Sequence, residues 1–348
     1  MDVIQTTGRK RETYEVQINT SLLWECALGI AAITNKPLLR TLDQLDSYWA
    51  EIRQSMSEEM NGQLDFVEKY NTWKSLLLLL HEKPFSDLVS FQTYIENLTT
   101  EELRFICIPY LGVKFQEIRT QASKGDNNAL LELQSNSKYN IFFPSYIEFI
   151  CTYDIQKLKE HLITVMTGWY EAVIKPNAEN LSSILKTDYT SKQSMKGKMN
   201  SEELVEWATA GITYLPEPNV QTVLLIPQYI YRPWNIEADI EGTKVFYYPV
   251  ANESIHPSDD STPNYFLVQK HKALGDEVRL RIVKLLSGHD RTLQDLTDQL
   301  ELGKSTIHHH LKILRSARLV EIRSSKYCLK RSSIDVLSKE LVYYLESN

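Results

Sequence analysis

Residues 292–323 read TLQDLTDQLELGKSTIHHHLKILRSARLVEIR, and this stretch decides the fold of the C-terminal part of the chain. Thr292 can cap a helix, and Asp295, three residues later, forms a variant of the capping box. A tight connection at residues 301–303 leads into a second helix from Lys304 to about Ala317, which β-prone residues follow. This order of elements is typical of a helix-turn-helix.

The second helix has one apolar face and one polar face. At about 100° per residue, Ile307, Leu311 and Leu314 lie together, which predicts that this side packs on a core. The opposite side carries donors and acceptors of moderate length, which suit the base edges and phosphates of a DNA major groove. Its residues are Ser305, His308, His309, Lys312 and Ser316. Lys304 and Thr306 are placed to bind phosphates together with the free N–H groups of the helix N-terminus.

The flanking segments extend this motif to a winged helix-turn-helix. Apolar periodicity predicts two earlier helices, two later strands and a last helix. Their predicted bounds are Tyr265–Leu274, Asp276–Leu286, Leu319–Arg323, Tyr327–Lys330 and Ser333–Leu345. Arg323 and Lys326 lie at the hairpin between the strands, where a wing would contact the flanking DNA backbone or minor groove.

Charge is distributed unevenly along the 348 residues, whose formal net charge is −7. Residues 265–348 hold 15 Lys and Arg against 10 Asp and Glu, a net charge of +5. Residues 1–264 hold the other 23 against 35, a net charge of −12. A polyanion would therefore be attracted to the C-terminal part and repelled by the rest of the chain.

The larger N-terminal part is mainly helical in its pattern. Helices are predicted over Ser21–Ile33, Leu42–Met56, Gln63–His81, Thr100–Ile106 and Ile155–Ile174. Two short strands are predicted over Val220–Pro227 and Lys244–Val250. The polar residues 252–264, which include two prolines, have no periodicity and predict a linker. The sequence therefore predicts a mainly α protein with a large helical N-terminal domain containing a small β element (1–251), and a C-terminal winged helix-turn-helix domain (265–348).

Five short strings in the C-terminal part resemble the ArsR-type winged-helix regulators. They are ALGD at Ala273–Asp276, RLRI at Arg279–Ile282, TLQDL at Thr292–Leu296, KSTIHHHLK at Lys304–Lys312 and LV at Leu319–Val320. The resemblance implies a bacterial or archaeal repressor that binds its operator as a homodimer. It also implies a dimer interface made by the first and last helices of the domain, and a packing role for His310. The DNA-facing positions that it implies are Lys304, Ser305, Thr306, His308, His309 and Lys312.

Two places depart from the family pattern. Regulators of this type commonly have glycine between the recognition helix and the first strand, where this chain has Arg318. The wing turn, Ser324-Ser325-Lys326, also lacks glycine. Because a non-glycine residue in the left-handed region costs about 1 kcal/mol, the turn types at these two places stay open, whereas the fold does not.

The three consecutive histidines, His308–His310, do not predict a metal site. Successive helix residues point about 100° apart, so their rings cannot converge on one ion. The preceding helix has no cysteine or histidine, the last helix has no histidine, and Cys328 stands alone in the wing. Gly303-Lys304-Ser305 mimics the end of a phosphate loop, but Asp298 occupies the position of its first glycine. We therefore expect no metal and no cofactor.

These features predict a DNA-binding transcription regulator that binds a pseudo-palindromic operator as a homodimer and, by the resemblance, represses. Its N-terminal domain would sense a non-metal small-molecule effector or mediate contacts with a partner. We expect a cytoplasmic protein without a membrane segment, because the longest apolar stretches are far shorter than the roughly 20 residues that span a bilayer. We also expect no enzymatic activity, because the usual catalytic motifs are absent.

Two other functions stay open. The chain can be an enzyme that acts on nucleic acid or on a metabolite, with the winged helix as its targeting module. That function predicts convergent ionisable residues in a cleft of residues 1–250. Alternatively, the winged helix binds a protein instead of DNA. The six tryptophans, all before residue 252, either line a small-molecule pocket or belong to the core.

Overall fold

The computed structural model describes residues 13–197, 199–256, 263, 265–323, 325–335 and 337–346. It divides the chain into two units, Met1–Val250 and Ala251–Asn348. Within the predicted linker, Asn252–Ile255 form a short helix. Residues 257–262 and 264 of that linker lie outside the described residues.

The first unit is mainly helical, as the sequence predicts. Its α-helices are α1 (Leu22–Ile33), α2 (Lys36–Leu39), α3 (Asp46–Ser55), α4 (Glu58–Tyr70), α5 (Trp73–Leu80), α6 (Leu88–Asn97), α7 (Thr100–Cys107), α8 (Gln116–Ser123), α9 (Asn127–Asn136), α10 (Phe143–Thr152), α11 (Ile155–Trp169), α12 (Ala178–Met195) and α13 (Ser201–Ala208). Short 3-10 turns lie at Val113–Phe115 and Lys175–Asn177, and a π-helical turn lies at Tyr170–Ile174.

The predicted helix Gln63–His81 is wrong as a single element, because the chain turns at Asn71. This residue adopts a left-handed conformation with φ 56° and ends α4, and α5 begins only at Trp73. Asparagine tolerates the left-handed region better than other non-glycine residues, so it can end a helix without an interruption of the apolar pattern. The predicted helix Ile155–Ile174 continues to its end, but its last five residues are π-helical.

A four-stranded sheet joins the two ends of the first unit. Its strands are β1 (Glu15–Ile18), β2 (Thr222–Gln228), β3 (Ile236–Ile240) and β4 (Thr243–Pro249). Their order is β1-β2-β4-β3, with β1 and β4 parallel to β2 and with β3 antiparallel to β4. The two strands predicted from sequence, β2 and β4, are therefore direct neighbours, whereas β1 and β3 are not predicted.

Helix α1 is the most buried element of this unit. Eleven of its twelve residues are buried, and it contacts α5, α11 and β2. A helix that is apolar all round is typical of a core position. Gly29 allows α11 to approach, because a Cβ atom there would lie 2.7 Å from Nε1 of Trp169.

Glu25 is the buried acid of α1, with 1% of its surface exposed. Its carboxylate accepts hydrogen bonds from the backbone N–H groups of Tyr229 and Ile230 at 2.5 and 3.0 Å, directly after β2. Burial raises the pKa of Glu25 to about 7, against the opposing effect of these two hydrogen bonds. Glu25 therefore attaches the central helix to the carboxyl end of the sheet.

The second unit has the element order that the sequence predicts. It comprises α14 (Asn252–Ile255), α15 (Tyr265–Leu274), α16 (Glu277–Gly288), α17 (Leu293–Leu300), α18 (Lys304–Ser316), β5 (Val320–Arg323), β6 (Lys326–Leu329), α19 (Arg331–Asp335) and α20 (Leu337–Glu346). The last predicted helix, Ser333–Leu345, coincides with parts of α19 and α20, and residue 336 between them lies outside the described residues.

The core of this unit forms around α18. Ile307, Leu311 and Leu314 are at most 1% exposed, and they pack with buried residues of α16 and α17 such as Ile282 and Leu296. The predicted apolar face of α18 is thus confirmed. Among the described residues of both units, no helix combines the length and the apolar character that a membrane crossing needs.

The raised pKa of Glu25 predicts a pH-dependent stability. The native protein holds a proton that an unfolded chain releases near pH 4.5, so the free energy of unfolding falls as the pH rises from 4.5 to about 7. This loss is about 3 kcal/mol for a shift of this size. Glu25→Gln retains an acceptor oxygen without a titratable proton. We measure the free energy of unfolding of both proteins in urea at about pH 4.5 and about pH 8. Between these two pH values, the difference between variant and wild type should change by about 3 kcal/mol in favour of the variant.

Glu51 on α3 provides the control, because it is an exposed glutamate in the same unit. Glu51→Gln should have the same effect on stability at every pH. A stability difference between Glu25→Gln and wild type that does not change with pH would contradict the prediction.

Candidate nucleic-acid interface

A tight turn between α17 and α18 sets the direction of α18. Thr292 and Asp295 form the predicted capping box at the start of α17, with both hydrogen bonds present. Glu301 ends α17 in the left-handed region with φ 56°, and its N–H group donates to the carbonyl of Thr297 at 3.0 Å. Gly303 then precedes α18 and gives it no side-chain cap, so the N–H groups of the first turn stay available to an anion.

The polar face of α18 is exposed from Lys304 to Lys312, whereas Ser316 near its end is partly buried. All eight residues that the sequence assigns to the site are exposed, six on α18 and two on the wing. They are Lys304, Ser305, Thr306, His308, His309, Lys312, Arg323 and Lys326. By contrast, His310 keeps only 14% of its side chain exposed, which agrees with the packing position that the resemblance implies.

The wing is a hairpin held to the chain before α17. Its strands β5 and β6 pair from Val320–Leu329 to Arg323–Lys326. Arg291 adds a backbone bridge to Tyr327, with two hydrogen bonds of 3.0 and 2.7 Å. At the tip, Ser325 has φ 64°, and Ser324 lies outside the described residues. The wing therefore has a fixed base next to the start of α17.

One basic residue of this surface escapes the sequence prediction. Arg315 is exposed on α18 and lies about 60° from Lys312 around the helix axis. Its position three residues after Lys312 is the signal that could have identified it. It extends the positive charge of α18 toward its C-terminus.

Arg318 occupies the position at which the resembling family commonly has glycine. Its φ of 59° lies in the left-handed region, which is strained for a residue with a side chain. Its guanidinium group lies over the ring of Phe266 on α15, 4.1 Å from the centroid. This cation–π contact stabilises the corner between α18 and β5 and offsets part of the backbone strain.

The described residues do not gather metal ligands at this surface. No group of three or more His, Cys, Asp and Glu side chains in the described part of the chain has the arrangement of a metal site. Cys328 and the three other cysteines are buried and free.

Several buried ionisable residues of the first unit bond to protein groups, and Asp188 also lies 3.8 Å from Nζ of the buried Lys192. Arg119 donates to the carbonyls of Ile108 and Phe105 at 2.9 and 2.7 Å. Asp188 accepts a hydrogen bond of 2.9 Å from the hydroxyl of Tyr248. These side chains therefore hold loops and elements together.

Tryptophans of the first unit differ in their burial. Trp24, Trp49 and Trp169 are at most 3% exposed and belong to the core, whereas Trp207 is 37% exposed. Trp24 also lines a small cavity of about 50 Å³ at the carboxyl end of β1, together with Ser21, Leu80, Lys83 and Phe85.

Arg318 gives a test of the strained corner. Arg318→Ala and Arg318→Gly both lose the contact with Phe266, but only alanine keeps a side chain in the left-handed region. We expect Arg318→Gly to be more stable than Arg318→Ala by about 1 kcal/mol in urea unfolding. Equal stability of the two variants would show that the backbone of residue 318 has relaxed out of that region.

Comparison with known proteins gives matches inside the second unit. Residues 276–321 match the model of the family described as bacterial regulatory protein, arsR family. The transcriptional repressor SdpR of Bacillus subtilis (strain 168) is 39% identical over 49 residues, which are 14% of this chain and 54% of SdpR. The chain thus spans about half the length of this curated relative. No solved structure matches. The second unit therefore contains an ArsR-family helix-turn-helix domain at residues 276–321.

Proposed function

We propose that this protein is a transcription regulator, a repressor, that binds double-stranded DNA through α18 and the β5–β6 wing. The observation that carries the proposal is the division of α18 into two faces. Its apolar face fills the core of the second unit, while its polar face is exposed from Lys304 to Lys312. A helix that is fixed on one side and hydrophilic on the other can enter a major groove without unfolding.

The residues of the exposed face divide into two roles. Lys304 and Thr306 bind phosphates together with the uncapped N–H groups at the start of α18. Ser305, His308, His309 and Lys312 face the base edges and determine which sequence is bound. On the wing, Arg323 and Lys326 bind the flanking backbone or minor groove.

The distribution of charge also supports DNA binding by the second unit. The second unit is positive in formal charge from residue 265 onward, and the rest of the chain is negative. DNA is therefore attracted to one part of the molecule, and the affinity falls as salt is added because phosphate contacts release counterions.

A homodimer is part of the proposal, because a pseudo-palindromic operator presents two half-sites about one helical turn apart. Helices α15 and α20, which the resemblance assigns to the interface, lie against each other in one chain. Nζ of Lys270 on α15 contacts both carboxylate oxygens of Glu340 on α20 at 2.8 Å. On α20, Val342 and Leu345 leave 49% and 70% of their surface exposed, which a second copy would cover.

The first unit is proposed to sense a small molecule, in a protein that works in the cytoplasm and needs no metal. The cavity beside Trp24 combines an aromatic wall with polar groups such as those of Ser21 and Lys83, but it would have to widen to hold such a molecule, because ligand pockets are usually at least roughly 300 Å³. The enzyme alternative requires ionisable side chains that converge in a cleft. The buried Glu25, Arg119 and Asp188, which each bond to protein groups, support a structural role instead.

Substitutions on α18 test DNA binding. Lys312→Ala and His309→Ala should each weaken binding by about 1–3 kcal/mol on a duplex recovered by selection from a random pool. On unselected duplexes the loss should be smaller, because base contacts carry the specificity. Fluorescence anisotropy with the full-length protein at fixed salt measures both effects.

Lys157→Ala is the matched control, since Lys157 is an exposed lysine of the first unit. It should leave the affinity for both kinds of duplex unchanged. Unchanged binding by Lys312→Ala and His309→Ala would favour a winged helix that binds a protein.

The outer face of α20 tests the dimer. Leu345→Asp places a charge where the proposed interface excludes water, so we expect the dimer to dissociate to monomers in sedimentation velocity. Leu215→Asp is the control, because Leu215 is a 56% exposed leucine of the first unit. A wild-type protein that sediments as a monomer, or a Leu345→Asp variant that stays dimeric, would contradict this interface.

A further inference from the structure

A polar cluster ties α18 to the corner between α15 and α16. Asp276 caps α16, and its Oδ1 accepts the backbone N–H of Arg279 at 2.9 Å. The same carboxylate lies 3.8 Å from Nη1 of Arg279 and 3.7 Å from Nδ1 of His310. Asp276 thus lies between Arg279 at this corner and His310 in the middle of α18.

Arg279 holds the other side of this corner. Its Nε donates to the carbonyl of Ala273 at 2.6 Å, and its Nη2 donates to the carbonyl of Lys272 at 3.0 Å. These two carbonyls belong to the last turn of α15, where carbonyl groups have no N–H partner within the helix. The guanidinium group therefore fixes α15, and the carboxylate of Asp276 beside it is fixed as well.

His310 is incompletely paired in this cluster. Its Nδ1 atom is buried and makes no hydrogen bond, although a carboxylate oxygen lies 3.7 Å away. The N–H group of Arg279 and the charges of Arg279 and His310 lower the pKa of Asp276, so this carboxylate is ionised wherever histidine titrates. A proton on Nδ1 would convert the contact into an ion pair.

Acidic groups on the other elements packed against α18 have partners of their own. Asp295 and Asp298 of α17 bond to Thr292 and Gln294, and Glu321 of β5 contacts Arg323.

The histidine and lysine neighbours lie on α15 and on α18 itself. On α15, His271 and Lys272 are exposed. On α18 itself, the ring of His309 lies 6.0 Å from that of His310. Asp276 is therefore the acid that acts on His310.

We propose that His310 is a positioning residue, which in its protonated form pairs with Asp276 and fixes α18 for DNA binding. This inference rests on the proposed function. His310 lies next to His309 and two residues before Lys312, so the pair adds a polar contact to the apolar packing that sets the rotation of α18, and it narrows the range of directions of these two side chains. A helix held in its bound orientation loses less entropy on binding. The affinity for DNA therefore rises as the pH falls through the titration of histidine.

Removing the charge of Asp276 distinguishes two effects on DNA binding, because they change the affinity in opposite directions. If Asp276 acted only as a negative charge near DNA, Asp276→Asn would strengthen binding. If Asp276 positions α18 through His310, the same variant weakens binding at low pH. Asparagine is as good a helix cap as aspartate, so the hydrogen bond to the N–H of Arg279 can persist. Glu277→Gln removes the same charge from the next residue, which is exposed, and serves as the matched control.

The experiment compares full-length wild type, Asp276→Asn, His310→Gln, the double variant and Glu277→Gln. Each binds the selected duplex at about pH 5.5 and about pH 8, at one salt concentration, with anisotropy as the readout. At the lower pH we expect Asp276→Asn and His310→Gln each to bind about threefold more weakly than wild type, a loss that an ion pair of this exposure can cause. The double variant should lose no more than either single variant. At the higher pH, His310→Gln should bind as wild type does, and Asp276→Asn and the double variant should bind as Glu277→Gln does, because each of these has lost one negative charge.

Protonation of the two other histidines of α18 affects wild type and Asp276→Asn equally, because both proteins keep His308 and His309. An Asp276→Asn variant that binds as wild type or more tightly at the lower pH overturns the proposal. The same holds if His310→Gln weakens binding equally at both pH values, which indicates packing alone. Urea unfolding at both pH values verifies the fold, and His310→Gln keeps the test decisive if Asp276→Asn does not fold. Failure of the proposed function itself is a different result, since wild type then binds neither selected nor unselected duplex at either pH.

Discussion

Burial of one face of α18 is the constraint on which the rest of the second unit depends. Ile307, Leu311 and Leu314 are removed from water together, and a helix can bury these three side chains only in one rotation about its axis. Every other residue of α18 takes its direction from that rotation. The exposed polar face, the half-buried His310 and the entry into the wing are thus consequences of where three aliphatic side chains pack.

Sequence patterning works well where the forces are local. The bounds of α15 and the capping box of α17 follow from periodicity and from the hydrogen-bonding chemistry of Thr292 and Asp295. The exposed site on α18 follows from the same periodicity. The prediction fails at Asn71, because a single left-handed residue ends α4 without disturbing the apolar pattern around it.

Patterning also fails where distant segments decide the structure. Strand β1 has only four residues, too few to establish an alternation, and it is held by pairing with β2 at the other end of the first unit. The contact between Arg318 and Phe266 is similar, because only the packing of α15 against α18 brings the two residues together. His310 is intermediate: its half-buried position follows from the helical wheel, but its partner Asp276 does not.

The parallel pairing of β1 with β2 has a consequence for synthesis of the chain. Glu15 pairs with Thr222 and Ile18 with Leu225, so about 200 residues must leave the ribosome before β1 acquires its partner. At about 5–20 residues per second this delay is about 10–40 s. During that time the apolar helix α1, which contacts β2, lacks part of its final cover. The nascent first unit therefore leaves apolar surface exposed for longer than the second unit does, in which α15 and α20 meet after about 70 residues.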